Sequence, residues 1–464
     1  MFIARIMHRA CRGKRNRQRM AARRAAVVAA ELEMLENRIL LSAVTLQETS
    51  DAYHVQFDTT QEILVQEFTN ENNQLQLQYQ LGQLDSGSFS SDFDSSQAGT
   101  QSILLSGLTR DLVIDNLDNG TILNLGSVHT FGNELEVSAD GDIVVQDGAV
   151  ISTRLLASAG LDENAPSAGN SGSLTLETET SISVYGDIYT HVDEQSPYTP
   201  GSITLEVSDV KNVTDGGQDE LSITLQGSSI KGGEVEITAE NKFRKFAKQV
   251  VGVDTNTVDV SLLNTTIEAE SISVEATADD IIGFYGGQYK WFGTMIAGGF
   301  FEGGLGTLFE SGPLEKFSVA QWPTVSVFIR DAMATLSIDG SDLSASGAIT
   351  LKSDAAAESE AEVVQTKPYG QKQQISGGFG GQGGVEIGVG YARATGAAET
   401  TIAGETTITA GGDVTISATG SAKALANVRT MSMPPFTPTA AGSGVPTVPL
   451  PGPTAANVKM FAVA

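Results

Sequence analysis

The sequence predicts an all-β chain: a right-handed parallel β-helix, or β-solenoid, behind a short helical, basic N-terminal leader. Three observations predict it: a short alternating pattern that recurs along the body, a longer duplication within that pattern, and a charge distribution that splits the chain in two. The recurring pattern is a small or acidic residue followed by alternating apolar and polar positions. It reads Gly141-Asp-Ile-Val-Val145, Gly172-Ser-Leu-Thr-Leu176, Gly201-Ser-Ile-Thr-Leu205, Gly233-Glu-Val-Glu-Ile237, Glu270-Ser-Ile-Ser-Val274, Gly347-Ala-Ile-Thr-Leu351 and Gly412-Asp-Val-Thr-Ile416. Alternation with period two and β-branched residues, bounded by Gly, Asp, Asn or Ser, is the mark of a half-buried strand. The later starts, Glu270, Gly347 and Gly412, are spaced about twice as widely as the earlier ones. The expected unit is therefore about 30–38 residues, giving ten or eleven rungs.

Taken in order, the leader comes first. Residues 1–42 hold ten of the 28 basic residues and three of the 56 acidic ones, so they carry +7 and the rest of the chain carries −35, against −28 overall. Arg17–Glu36 contains strong helix formers and no Gly or Pro, which predicts a helix. Its Arg residues stand in the first turns and its Glu residues in the last, against the helix dipole, an arrangement better suited to an address read by other molecules than to a folded core. The apolar run Ala25–Ala30 is too short for a signal-peptide core or a membrane span. Cys11, the single cysteine, lies in the leader, so no disulfide framework is available to the body.

Leu35-Glu36-Asn37-Arg38-Ile39-Leu40-Leu41-Ser42-Ala43 resembles the LEPR-XLL motif found at the N-terminus of large, repetitive, exported bacterial proteins. Leu35, Glu36, Arg38, Leu40, Leu41, Ser42 and Ala43 match its pattern, and Asn37 stands where the motif has Pro. The resemblance implies that residues 1–43 engage export machinery and that the body works outside the cell or at its surface.

Residues 44–99 read as N-terminal cap strands and a linker. Gln74–Leu81 alternates strictly, and the Ser/Asp run Ser86–Ser96 reads as linker or loop. The repeats occupy 100–430. Most have a second apolar strand just upstream, as Ile230 before Val235, Ile267 before Ile272, Leu343 before Ile349 and Ile408 before Val414, with Gly232, Ala269, Ala345 or Ala410 at the intervening corner. Ala332–Glu362 superposes on Ala397–Asn427 with a constant offset of 65, each copy following a Gly-rich stretch expected as an insertion, about 281–325 and 366–391. Trp291 lies in an apolar stretch, Ile281–Phe301, which frequent Gly and Gln288, Tyr289 and Lys290 make a loop rather than a membrane span. Seven of the 13 Pro fall between Pro434 and Pro453, so 431–464 reads as an extended linker at the end of a fragment.

The segments Gly388–Thr395, Thr400–Gly404 and Thr407–Ala418 resemble the repeats of filamentous-haemagglutinin-like adhesins, in particular the leukotoxin-type filamentous adhesins. The likeness covers about residues 100–430 and implies a surface rod that mediates attachment or forms a stalk. The Asn-Pro-Asn motif of many such export domains is absent near the start.

Candidate sites are few. Lys242, Arg244, Lys245 and Lys248, with Phe243 and Phe246 between them, form an anion or glycan contact in an acidic chain or, read structurally, a loop interrupting the coil. Asp115–Gly120, Asp140–Asp142 and Asp339–Asp342 offer oxygen ligands suited to calcium, but lack the EF-hand and β-roll spacings and also suit turns. No cofactor is called for. His54, His129 and His191 lie in separate segments, and no nucleophile-elbow, His-Glu-x-x-His or phosphate-loop pattern occurs. The acidity argues against nucleic acid as a partner. The expected function is thus a non-enzymatic, exported, surface-associated rod that contacts a cell-surface, matrix or glycan ligand. A β-helix polysaccharide lyase or hydrolase and a purely structural spacer are the alternatives.

Overall fold

The computed structural model describes residues 44–82, 88–93, 101–117, 120–157, 165–193, 195–209, 218–243, 251–280, 324–367, 386–432 and 458–463. The leader, with the helix expected there, lies outside them. The regular structure of the described chain is all strand apart from a 3-10 turn, Leu105–Gly107.

The chain visits three sheets in rotation. Leu135–Ala139, Ile143–Val145 and Val150–Ser152 form the three sides of one turn; Leu174–Thr178, Ser181–Val184 and Asp187–Tyr189 form the next. Each strand pairs in parallel with its equivalent one turn later, Leu135 with Leu174, Ile143 with Ile182 and Ile151 with Ile188. The first and second sheets have ten strands and the third has seven.

Period-two alternation puts every second side chain inside the coil, and the register lines those side chains up. On the first face the inner row runs Leu135, Leu174, Ile203, Val235, Ile272, Ile349. On the third face it runs Ile151, Ile188, Ile230, Ile267, Leu343, all buried. Medium aliphatic side chains fill this interior from every side, and neighbouring turns supply one another's backbone partners.

Antiparallel strands close the N-terminal end. Val44–Glu48 runs against Ala52–Phe57 in the first sheet and Leu75–Leu81 against Ile63–Thr69 in the second. Part of the Ser/Asp run expected as linker is docked on this cap. Phe93 is fully buried, its ring 5.0 Å from that of Tyr79, and the Tyr79 hydroxyl donates to the Asp92 carbonyl at 3.0 Å.

Two sequence expectations change. Six of the seven repeat copies lie on the first face, but the copy at Gly141 supplies Ile143–Val145 to the second face; the first-face strand of its turn is Leu135–Ala139. The wide gaps after Glu270 and Gly347 do not hold two rungs each, because Ile272 is the direct register partner of Ile349, and Ile349 of Val414. The expected ten or eleven rungs are therefore too many.

Part of the extra length is strand. Sides of two to seven residues in the early turns give way to Ile349–Lys367 on the first face and Glu386–Ala403 on the second. The elongated first-face strands run out past the triangular section, and the second-face strands return over them, forming a two-layered flange. Ser353 Oγ meets Thr400 Oγ1 across the layers at 2.9 Å, and Asn256 Nδ2 donates to the carbonyls of Asn241 and Asp279 at 3.0 and 3.2 Å. Ala276, Ala278, Ala332, Ala334, Ala355 and Ala357 are buried in it. Gly396 and Gly420 permit the closest approach, since a Cβ on either would overlap a backbone carbonyl of the facing layer. The Gly-rich stretches expected as insertions lie largely outside the described residues, at 281–323 and 368–385.

Candidate functional site

The structure brings few of the sequence-derived candidates together. Leu35, Glu36, Arg38, Leu40, Leu41, Ser42 and Ala43 lie outside the described residues, as do Arg244, Lys245 and Lys248. Lys242 is described. It lies one residue before the end of the first-face strand Glu234–Phe243, in register with Asp279, and its ammonium pairs with Glu240 on the same strand.

The Asp-containing turns serve the coil itself. Ser181 Oγ donates to Asp142 at 2.6 Å, Ser138 Oγ donates to Asp115, and the Asp339 carbonyl accepts from the Asn264 backbone at 2.9 Å. Each bond ties one turn to its neighbour. Among the described residues no three His, Cys, Asp or Glu side chains are grouped to hold a metal ion. No helix among them is long and apolar enough to cross a membrane.

Two polar clusters were not anticipated. His129 is buried at the end of the third-face strand Val128–His129, and its Nδ1 lies 2.9 Å from both carboxylate oxygens of Glu67 in the capping region. Arg154 is also buried. Its guanidinium donates to the His191 carbonyl at 3.1 Å, to Ser167 Oγ at 3.3 Å and to Asp193 Oδ1 at 3.3 Å. Asp193 also accepts from the Ser167 backbone N–H at 2.6 Å. That backbone donor lowers the Asp193 pKa; partial burial opposes it and the Arg154 charge assists it. Arg, Asp and a nearby His have the composition of a polysaccharide-cleaving site, but here the guanidinium lies inside and latches the loop after Val150–Ser152 to the next turn. The individual residues were visible in the sequence; their convergence depends on loops of unequal length.

The outward positions form continuous rows. On the first face one row runs Ser138, Glu177, Glu206, Thr238, Glu275, Lys352, Ser417, rich in carboxylates. On the second face one row runs Ser183, Thr224, Ser261, Ser337, Thr401, five hydroxyls on five successive turns, all half-buried. Successive members stand about 4.8 Å apart, as strand pairing dictates. On the third face, Tyr189, Lys231 and Glu268 are successive, with Lys231 and Glu268 paired at 3.0 Å. The first-face row is therefore rich in carboxylates, the second-face row consists of hydroxyls, with Asp259 and Glu399 in the outward row beside it, and the third-face row is mixed. A hydroxyl row donates and accepts hydrogen bonds without bringing charge to a neutral polar ligand. Comparison of the chain with protein-family models, with curated proteins and with solved structures gives no match.

Proposed function

We propose that this chain is an exported, surface-associated, right-handed β-solenoid that belongs to a larger filamentous adhesin-like protein and acts by attachment rather than catalysis. Its leader engages export machinery, and its body works outside the cell or at the cell surface. There it contacts a cell-surface, matrix or glycan ligand along one face, with affinity accumulated over several weak contacts. The observation that carries this reading is the hydroxyl row Ser183, Thr224, Ser261, Ser337, Thr401: a periodic row of uncharged hydrogen-bonding side chains on a chain of net charge −28. A neutral glycan chain lying along it meets a hydrogen-bonding group at every turn.

The test is retention of the purified chain on immobilised glycans, matrix proteins and whole cells, compared with a Ser261→Lys/Ser337→Lys double variant. The wild type is expected to bind at least one neutral polysaccharide surface, and the variant to lose at least tenfold in retention with its circular dichroism unchanged. Equal retention of the two proteins, or depolymerisation of the glycan by the wild type, overturns the proposal.

A further inference from the structure

We infer, resting on the glycan-attachment reading of this chain, that Tyr185 is a stacking subsite for a neutral β-linked glucan, a chain whose sugar rings carry only equatorial substituents. Gln146 and Gln226 flank it on the neighbouring turns, and Ser183 and Thr224 stand beside it on the second face.

The repeat itself puts Tyr185 there. In the second-face strand Ser181–Val184, Ile182 and Val184 point inward and are fully buried, so alternation turns Ser183 outward and Tyr185 after it. The Tyr185 amide donates to the Val145 carbonyl at 3.0 Å, and the Gln146 amide makes the equivalent bond to the Leu125 carbonyl at 3.0 Å. Val184 pairs with Val145 on one side and with Leu225 on the other. One residue further on, the same register sets Tyr185 between Gln146 and Gln226, about 4.8 Å from each in backbone spacing and about 7 Å along the strand from Ser183.

Tyr53, Tyr79 and Tyr189 are used by the fold. Tyr53 lies under the Arg110 guanidinium, Tyr79 donates to the Asp92 carbonyl, and Tyr189 donates to Asp187 with its ring against that of His191. Tyr185 differs: it is 36% exposed and makes no ring contact and no side-chain hydrogen bond among the described residues. Charge on the same two turns is committed elsewhere. Asp142 accepts from Ser181 Oγ at 2.6 Å, and Asp187 accepts from the Ser229 amide at 2.8 Å as well as from Tyr189. Asp147 is exposed in the turn after Gln146 and, in a chain of net charge −28, opposes an acidic sugar.

The chemistry of these side chains selects the ligand. A phenol ring offers a flat apolar face with a polar rim, and Ser, Thr and Gln donate and accept hydrogen bonds without charge. A β-linked glucan has the complementary form, since each ring is C–H on both faces and hydroxyl around its edge. An axial hydroxyl, as in a mannan, brings a polar group against the phenol face with nothing to bond. Further along the coil the row through Gln226 continues as Leu263, Asp339 and Ala403, so stacking is confined to the Tyr185 turn and the hydroxyl row alone carries the glycan onward.

The experiment is biolayer interferometry of the full 464-residue chain over surfaces of a β-linked glucan, a mannan and a polygalacturonate, with Tyr185→Ala, Tyr185→Phe and Tyr198→Ala variants alongside. Tyr198 is a comparably exposed ring, at 37%, in the loop before the first-face strand Ile203–Asp209. The wild type and Tyr198→Ala are expected to bind the β-glucan at least tenfold more tightly than the mannan and not to bind the polygalacturonate. Tyr185→Ala is expected to lose at least tenfold in affinity for the β-glucan with unchanged circular dichroism, and Tyr185→Phe, which keeps the ring face, to lose less than threefold. Tyr185→Ala binding like the wild type, equal binding to the mannan, tighter binding to the polygalacturonate, or an equal loss in Tyr198→Ala each overturns the inference. Where Ser261→Lys/Ser337→Lys loses glycan binding and Tyr185→Ala does not, the attachment reading stands and this subsite falls; a wild type that binds none of the three surfaces overturns both.

Discussion

At the corner between the second and third faces one residue in each of four successive turns adopts a left-handed backbone: Gly227, Asn264, Gly340 and Gly404 line up, with φ of 65°, 49°, 59° and 64°. Gly and Asn are the residues that visit this region at least cost. Beside them a hydroxyl ladder closes the corner: Ser228 Oγ lies 3.4 Å from Thr265 Oγ1, and the Thr265 amide donates to Ser341 Oγ at 3.0 Å. Gly340→Val is expected to lower stability by about 1–2 kcal/mol for the backbone conformation alone, and by more because a Cβ there meets Asn264 Oδ1 at 2.6 Å. Asn264→Gly is expected to stay within about 0.5 kcal/mol of wild type; thermal unfolding of the two variants checks both. The Asp193 latch has a pH signature. A carboxyl whose pKa is lower folded than unfolded stabilises the fold fully above its ordinary value of 3.8, and that contribution is lost as pH falls through the folded value. The thermal midpoint of wild type should therefore exceed that of Asp193→Asn at pH 6, and the gap should close as the pH is brought below 3.8. A gap that is constant with pH would show that the side chain acts through shape alone.

The flange shows how an element can be legible in kind and not in extent. Ile-x-Leu or Val-x-Ile alternation announces a strand wherever it occurs, and the first-face strands Leu174–Thr178 to Val414–Ser432 are at the repeats that alternation marked. Past Leu351 the inner positions continue as Ser353, Ala355, Ala357 and Ser359, all buried. Such residues bury little apolar area, so the hydrophobic signal fades although the strand continues to Lys367. The same fading made one long turn look like two short ones. The copy at Gly141 was assigned to the wrong side for the opposite reason: its alternation is clear, but nothing local distinguishes one side of a three-sided coil from another. Of the candidate sites, the outward rows follow from the repeats once the register is known, whereas the Arg154 latch depends on loops without pattern. The flange also holds a pair that alternation does not suggest. Arg330 and Asp280 face each other across its layers, and both are fully buried. Removing one partner from such a pair leaves a charge in the interior, so Asp280→Ala is expected to cost about 3–5 kcal/mol. The double variant Asp280→Leu/Arg330→Met is expected to recover most of that loss, and denaturant midpoints of single and double variants measure the recovery.

At the scale of the whole molecule, a stack in which each turn touches only its neighbours distributes stability by position. A central turn is covered on both sides and the last described turn on one. Leu205 sits in the middle of the first face, fully buried between Leu176 and Ile237, whereas Ile416, in register with Leu351 on the last described first-face strand, is 48% exposed. The same chemical deletion is therefore worth different amounts at the two sites. Leu205→Ala is expected to cost about 2–5 kcal/mol, because a cavity opens where neither neighbour can collapse into it. Ile416→Ala is expected to cost less than about 1 kcal/mol in dilute, monomeric solution, because half of its surface is already wet. Hydrogen exchange should follow the same gradient. The Leu174–Thr178 and Ile203–Asp209 amides have partners on both sides and should exchange only with global opening, whereas alternate amides of Val414–Ser432 face outward and should exchange early. Equal costs for the two deletions would mean that stability does not follow the burial of the two side chains.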